Sequence, residues 1–392
     1  MGRSTEKIDV SRCAVGIELG STRVKAVMVD ERGKVLASGC SEWENAFAGG
    51  IWTYSEEDVS LALRACWAAP KADVKVKLGC ALTKAGRIGI SAMMHGYIAL
   101  DAEGKLLAPF RTWRNNTAAK AAGELTKALG INIPARWTAA YDMAERGEAH
   151  LRDVAKVTTL AGYVHYRLTG THVVGAGEAS GIFPLDGCAY DGGMMKIYDR
   201  MLADKGVPFK AEDVFPVPVP AGADAGRLTE EGAAWLDDGG DLVAGIPFCP
   251  PEGDAGTGMV ATNSVRVGTG NVSAGTSVFA MIVSGKRPPV VRKEIDIVAT
   301  PDGVTALMVH CNNCTSDLNA WADVFSEASG IKDKNELYAF LFGKALEGDP
   351  DCGGLVAYNY VSGEDITNVR AGCPMLLRRT GDKLDLPNLM RA

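Results

Sequence analysis

The chain has 392 residues, 47% hydrophobic and 23% charged, which is enough apolar material for one large domain or two. Its 41 basic and 48 acidic residues give a net charge of −7, arguing against nucleic acid or an anionic membrane as the main partner. With no apolar run of membrane-span length, no signal stretch in MGRSTEKIDVSRC, Glu6 breaking the myristoylation pattern and ten scattered cysteines that read as reduced thiols, a cytoplasmic protein is expected.

Residues 14–39 predict a meander of strand, Gly20-Ser21-Thr22 turn, strand, Glu-Arg-Gly turn and strand. Glu18 stands beside the first turn, between two buried runs. The hairpin reads either as a phosphate grip with an acid for a metal ion or as a plain hairpin with one exposed acid. Ser55–Ala69 has helical spacing and an acidic first turn. Arg87–Ala92 is a short strand leading into MMHGY, so His95 either faces a cleft or is a hydrogen-bonded core histidine. Ile98–Leu107 predicts a hairpin turning at Ala102-Glu103-Gly104. FRTWRNN (110–116) gathers Arg111, Trp113, Arg114 and Asn115. A Trp face packs on C–H groups while amides and guanidinium bind hydroxyls, which suits a polyol; a structural loop would look the same.

Ala118–Leu129 predicts a helix, and the Pro-, Gly- and Asp-rich stretch 212–241 an irregular surface segment before a strand at Leu242–Ile246. PFCPPEGDAGTGMVA (247–261) sets Asp254 on an exposed turn. A carboxylate there could take a hydroxyl proton, as phosphoryl transfer to an alcohol requires, or simply form the turn. The opening pattern then returns. VSAGTSVFAMIV (272–283) lies over IELGSTRVKAVMV, with Gly275-Thr276-Ser277 on Gly20-Ser21-Thr22. Two such hairpins suggest a duplicated domain with matched anion-binding turns, or two unrelated hairpins. No G-x-x-x-x-G-K-[ST] loop occurs, and Gly268-Thr269-Gly270 runs into a strand rather than a helix, against a Rossmann dehydrogenase. Cys311 and Cys314 lack a second ligand pair for zinc. Gly353-Gly354 reads as a strand start.

Together these pieces resemble the FGGY carbohydrate kinases, within them the xylulokinase-like branch. The carriers are GIELGSTRVKAV, YSEED after Trp52, MMHG, TWRNN, EGDAGTG, SAGTSVF and GGLVAYNYVSGE, in family order across 14–365. The resemblance implies an α/β fold of duplicated actin/Hsp70-like ATPase (ribonuclease H-like) domains, with 14–262 binding sugar and 263–392 binding nucleotide. It implies ATP-dependent phosphorylation of a ketose, a pentulose being expected. Asp254 would be the base. Met94, His95, Trp113, Arg114 and Asn115 would meet the sugar. Gly20, Ser21, Thr22, Arg23, Gly275, Thr276 and Ser277 would hold ATP, and Glu18 would work with Mg²⁺. A homodimer is admitted. Glu18 replaces the family's usual Asp, Ala255 the common Asn, and Arg23 is larger than usual. The family's later Gly-Gly-Gly turn and following helix are not found, so an incomplete second domain is expected, from a truncated, fragmentary or split protein. These departures give the alternative: a weak sugar-binding or regulatory pseudokinase, or an inactive fragment.

Overall fold

A computed structural model of the chain describes residues 8–144, 148–275, 278–361, 363–364, 369 and 371–392. It divides into two compact units. The first runs to Gly270 and includes Ile282–Arg292 and Asp296–Leu307; the second comprises Asn271–Met281, Lys293–Ile295 and Met308–Ala392.

The expected meander forms because its alternation is strict. β1 (Ala14–Leu19) buries Val15, Ile17 and Leu19, and β2 (Arg23–Val29) buries Val24, Ala26 and Met28. β3 (Val35–Glu42) follows, then the hairpin β4 (Ala46–Ala48) and β5 (Ile51–Thr53). α1 (Glu56–Leu78) opens on a capping box between Ser55 and Asp58. Its buried stripe includes Val59, Leu63, Cys66, Trp67 and Val74, in one core with the inward residues of β1 and β2.

The sequence predicts a stop at Ala69, but α1 runs through Pro70. Proline forfeits the bond to the Cys66 carbonyl. Gly39 of β3 passes against that gap: a Cβ there would stand 2.3 Å from the Cys66 oxygen and 2.5 Å from Pro70 Cδ.

β6 (Arg87–Ala92) and β7 (Ile98–Leu100) come next, the latter opening the expected hairpin, closed by Gly104 N–H on the Asp101 carbonyl. α2 (Ala119–Leu129), α3 (Thr138–Ala144), β8 (Lys156–Thr158) and α4 (Leu160–Thr169) lead to β9 (Val173–Gly175) and α5 (Ala176–Ala179). Then come β10 (Leu185–Asp186), β11 (Ala189–Tyr190), α6 (Gly192–Asp204), α7 (Ala211–Val214), β12 (Val217–Val219) and α8 (Glu230–Leu236). β13 (Glu252–Gly253) and α9 (Asp254–Ala261) complete this stretch. The main sheet has the order β13-β6-β1-β2-β3, with β6 parallel to β1 and β13 parallel to β6. A second core, around Trp137, Tyr141, Phe183 and Tyr198, draws on α2, α3, α6 and α7.

Two expectations fail here. The stretch 212–241 is not irregular throughout: β12 pairs parallel with β9, and Thr229 caps α8, which buries Ala233 and Leu236. The alternating prolines hid a short edge strand. Leu242–Ile246 is not a strand. Gly245, at φ +92, turns the chain, and bridging falls on Pro247 and Phe248 instead.

Residues 270–311 supply β14 (Gly270–Ala274), β15 (Val278–Val283), β16 (Asp296–Ala299) and β17 (Thr305–Cys311), in the order β14-β15-β17-β16. In the second unit α10 (Thr315–Ser329), α11 (Lys334–Glu347) and α12 (Leu386–Arg391) contribute to a small core of Ala322, Leu337, Leu341, Leu386 and Met390. β18 (Val356–Tyr358) pairs antiparallel with β19 (Met375–Leu377), two residues after Gly354. All ten cysteines are unbonded. Among the described residues, no helix is long and apolar enough to cross a membrane.

Gly39→Ala should destabilise the first unit by about 1–3 kcal/mol, the cost of an overfilled core. A urea titration followed by tryptophan fluorescence checks this; an unchanged midpoint contradicts the close approach.

Candidate active site

β1, β6 and β13 run parallel and end at one level, Leu19 opposite Ala92 and Ala92 opposite Gly253. The Met93 N–H extends the ladder to the Leu19 carbonyl at 2.9 Å. Beyond these ends come Gly20-Ser21-Thr22, Met93–Gly96 and Asp254. The carboxyl edge of parallel strands is where open α/β sheets bind ligands. One register step earlier, Glu18, Ser91 and Glu252 oppose one another on a single face, with Lys25 across from Glu18.

The first turn has its carbonyls tied inward. Trp43 Nε1–H donates to the Gly20 carbonyl at 2.7 Å, and the Tyr54 hydroxyl to that of Ser21 at 2.7 Å. The Trp43 N–H donates to the Thr22 carbonyl at 3.2 Å. The two rings stack with centroids 4.1 Å apart. In a planar trans peptide the next N–H points opposite the carbonyl, so the amides of Ser21 and Thr22 face away from the aromatic pair. That is the polarity of an anion-binding nest. Burial pushes the Tyr54 phenol up to about 12, so it remains a donor. Trp43 lies outside the sequence motifs, and Tyr54 opens the YSEED motif without having been expected at the site; no spacing rule links either to the turn. Arg23 is exposed beside Glu42, 3.7 Å away. Gly275 belongs to the second unit, where its carbonyl accepts from the Thr315 N–H at 3.0 Å. Thr276 and Ser277 lie outside the described residues.

Met94 and His95 are buried. His95 holds φ 72 and Gly96 φ 108. Left-handed backbone at a non-glycine residue is costly and persists only where its surroundings fix it. Here the Gly96 N–H donates to the Arg136 carbonyl at 3.1 Å, and the Thr138 hydroxyl to the Gly96 carbonyl at 2.8 Å. A Cβ at Gly96 would meet the Arg111 carbonyl at 2.6 Å.

Asp254 is not on an exposed turn. It is half-buried and opens α9. Its Oδ1 accepts from the Ala255 N–H at 2.9 Å and the Met94 N–H at 3.3 Å. Burial pushes its carboxyl up to about 6; the two amides oppose the shift and the Glu18 charge adds to it. A carboxylate poised there is suited to accept a proton near neutral pH.

Two further buried carboxyls, absent from the sequence expectations, flank Asp254. Glu252 accepts from the Gly177 N–H at 3.0 Å and the Glu178 N–H at 2.9 Å, and burial lifts it to about 7. Glu178 is fully buried. Burial raises it well above the carboxylate range; the Thr159 hydroxyl opposes this, and the charges of Glu252 and Asp254 add to it. The legible signal was the small-residue run GAGEASG (175–181), which allows close backbone approach without naming the partner.

In the TWRNN loop, Asn115 does not present its amide to a ligand. Its oxygen accepts from the Trp52 N–H at 2.8 Å, and its Nδ2 donates to the carbonyls of Trp52 at 2.8 Å and Thr112 at 3.0 Å. Asn115 therefore pins the loop to β5. Trp113 is half-buried against the first core. Arg114 is exposed, its guanidinium 5.1 Å from the Trp52 ring centre and 5.6 Å from that of Trp113.

Comparison with known proteins agrees with this architecture. Over 97% of this chain the structure superposes on the xylulose kinase of Rhodospirillum rubrum (TM-score 0.73, 19% identity, 75% of that chain). It likewise superposes on a ligand-bound xylulose kinase of Lactobacillus acidophilus (TM-score 0.75, 17% identity, 97% of this chain and 74% of that chain). The fold is thus that of the actin-like carbohydrate kinases. The xylulose kinase of Escherichia coli (strain K12) is 26% identical over 286 residues, which are 69% of this chain and 54% of the relative. The chain therefore spans about half the length of the curated relatives it matches. Residues 13–139 match the N-terminal domain of the FGGY family of carbohydrate kinases, and residues 270–392 match its C-terminal domain. The chain belongs to the FGGY family of carbohydrate kinases.

Proposed function

We propose that the protein transfers the γ-phosphoryl group of MgATP to a hydroxyl of a neutral ketose, a pentulose such as xylulose, in the cytoplasm. The carrying observation is the common level of three parallel strand ends, which brings Gly20–Thr22, Met94–His95 and Asp254 to one edge of the sheet. The xylulose kinase relatives support the choice of sugar. In this reading 14–262 form the sugar side and 263–392 the nucleotide side.

The amides of Ser21 and Thr22 receive phosphate oxygens. Among the described residues, no group of three or more His, Cys, Asp or Glu could hold a metal ion. Bound Mg²⁺ would neutralise phosphate charge and would need no more than one or two carboxylates from the protein. Glu18, beside the first turn, is the residue of this chain that would help hold it. Met94 and His95 border the sugar. Asp254 takes the proton of the attacking hydroxyl as its oxygen bonds to the γ-phosphorus and the bond to ADP breaks.

Asp254→Asn should lower turnover with D-xylulose by ~10²–10⁴ while sugar affinity persists. A coupled ADP assay and calorimetry test this together; near wild-type turnover removes Asp254 from the mechanism. Xylulose binding without ADP formation by the wild type would instead support a sugar-binding protein that transfers nothing.

The pH profile follows from the same carboxyl. The base must be ionised, so kcat/KM should fall as pH drops through about 6. Stability has the opposite sign. A carboxyl raised on folding stabilises while protonated, fully below about pH 4, and loses that contribution as pH rises through its folded value. Asp254→Asn should therefore raise Tm at pH 8 and leave it nearly unchanged at pH 4.

Tyr54→Phe removes the hydroxyl that holds the Ser21 carbonyl. MgADP affinity should fall about three- to tenfold, the worth of one hydrogen bond, with D-xylulose affinity unchanged by calorimetry. An equal loss for both ligands would mean that Tyr54 supports the whole first unit rather than the turn.

A further inference from the structure

We infer that Glu252 is a positioning residue: its carboxylate clamps the glycine-rich segment Gly175–Gly181 under Met94, His95 and Asp254 and so fixes the floor on which the sugar rests. The inference uses the sugar-kinase reading only for the identity of the ligand.

The clamp is visible in what the glycines lack. A Cβ at Gly175 would stand 2.1 Å from Glu252 Oε1, one at Gly177 2.5 Å from Oε2, and one at Gly256 3.0 Å from Oε2. The carboxylate thus fills a cradle that three absent side chains leave open. Two N–H donors, of Gly177 and Glu178, converge on it at 3.0 and 2.9 Å. The Gly175 N–H bonds the Pro251 carbonyl at 2.7 Å, so the acid and its own strand hold the segment together. A carboxyl group can offer an oxygen to each of the two donors, whereas an amide presents one oxygen and an opposing N–H.

The far end of the segment meets the site. A Cβ at Gly181 would stand 2.6 Å from His95 Nδ1 and 3.1 Å from Met94 Cε. A Cβ at Gly253, next to the base, would meet Glu178 Oε2 at 2.5 Å and Met94 Cγ at 2.6 Å. The two ends are stiffly joined. Ser180 Oγ donates to the Gly177 carbonyl at 2.6 Å and accepts from the Ala299 N–H at 2.9 Å. The Gly181 N–H donates to the Glu178 carbonyl at 2.9 Å. Movement at Gly177 is therefore carried to Gly181, and from there to Met94 and His95.

The test is Glu252→Gln in the 392-residue chain, read two ways. By hydrogen exchange, protection of the Gly177 and Glu178 amides should fall roughly tenfold or more, and peptides covering 93–96 and 254–256 should loosen with them. By calorimetry, D-xylulose affinity should fall about tenfold or more while MgADP affinity stays within twofold. Exchange changes confined to 175–179, or equal losses for both ligands, overturn the proposal. If Glu252→Gln does not fold, Gly177→Ala keeps the acid and crowds its Oε2, and the same readouts apply. If the wild type binds no xylulose, the proposed sugar fails while the exchange arm still decides the clamp.

Discussion

Everything at the candidate site depends on parallel pairing in register. Leu19, Ala92 and Gly253 are far apart in the chain, yet neighbouring strands lie only about 4.8 Å apart. The ladder therefore brings three unrelated segments to one edge and fixes their level to within a residue. A slip of one residue would turn Glu18, Ser91 and Glu252 to the opposite face. The shared core of β1, β2, β6, α1 and α4 forbids it, because Val15, Ile17, Val24, Ile88 and Ile90 would lose their burial.

The second constraint is the cost of buried charge. Glu178, Glu252 and Asp254 sit in one neighbourhood, and burial is the largest cause of the raised titration of each. Backbone amides on Glu252 and Asp254 offset part of that cost. Sites that hold such groups out of water trade stability for a base near neutrality. The left-handed His95–Gly96 turn belongs to the same exchange, a strained backbone held by a bond to the Arg136 carbonyl and one from the Thr138 hydroxyl.

The sequence made the meander legible because its period-two alternation is nearly perfect, and the start of α1 legible because Ser55 and Asp58 stand at capping spacing. It hid the end of α1, since proline is a reliable breaker unless a glycine on another strand admits the uncompensated carbonyl. It hid β12 behind prolines, and it placed a strand at Leu242–Ile246 where Gly245 turns the chain. At the site, Asp254 and His95 stood out because their neighbours are glycines. Glu252 stood two residues from Asp254 in the same quoted motif, but its role depends on Gly175 and Gly177, seventy-odd positions away. Asn115 shows the reverse error: its residue type suits a sugar, but its contacts are with the backbone of Trp52 and Thr112.

The glycine cradle bears on how this chain can change over generations. Position 252 holds a long acid in this pose only while positions 175 and 177 carry no Cβ, and a side chain entering at either must displace that carboxyl group. The substitutions are reciprocal: each is harmful alone and tolerable in company. Variation at these positions should arise in linked sets, so that a descendant with a differently shaped floor is reached by a jump rather than by single steps.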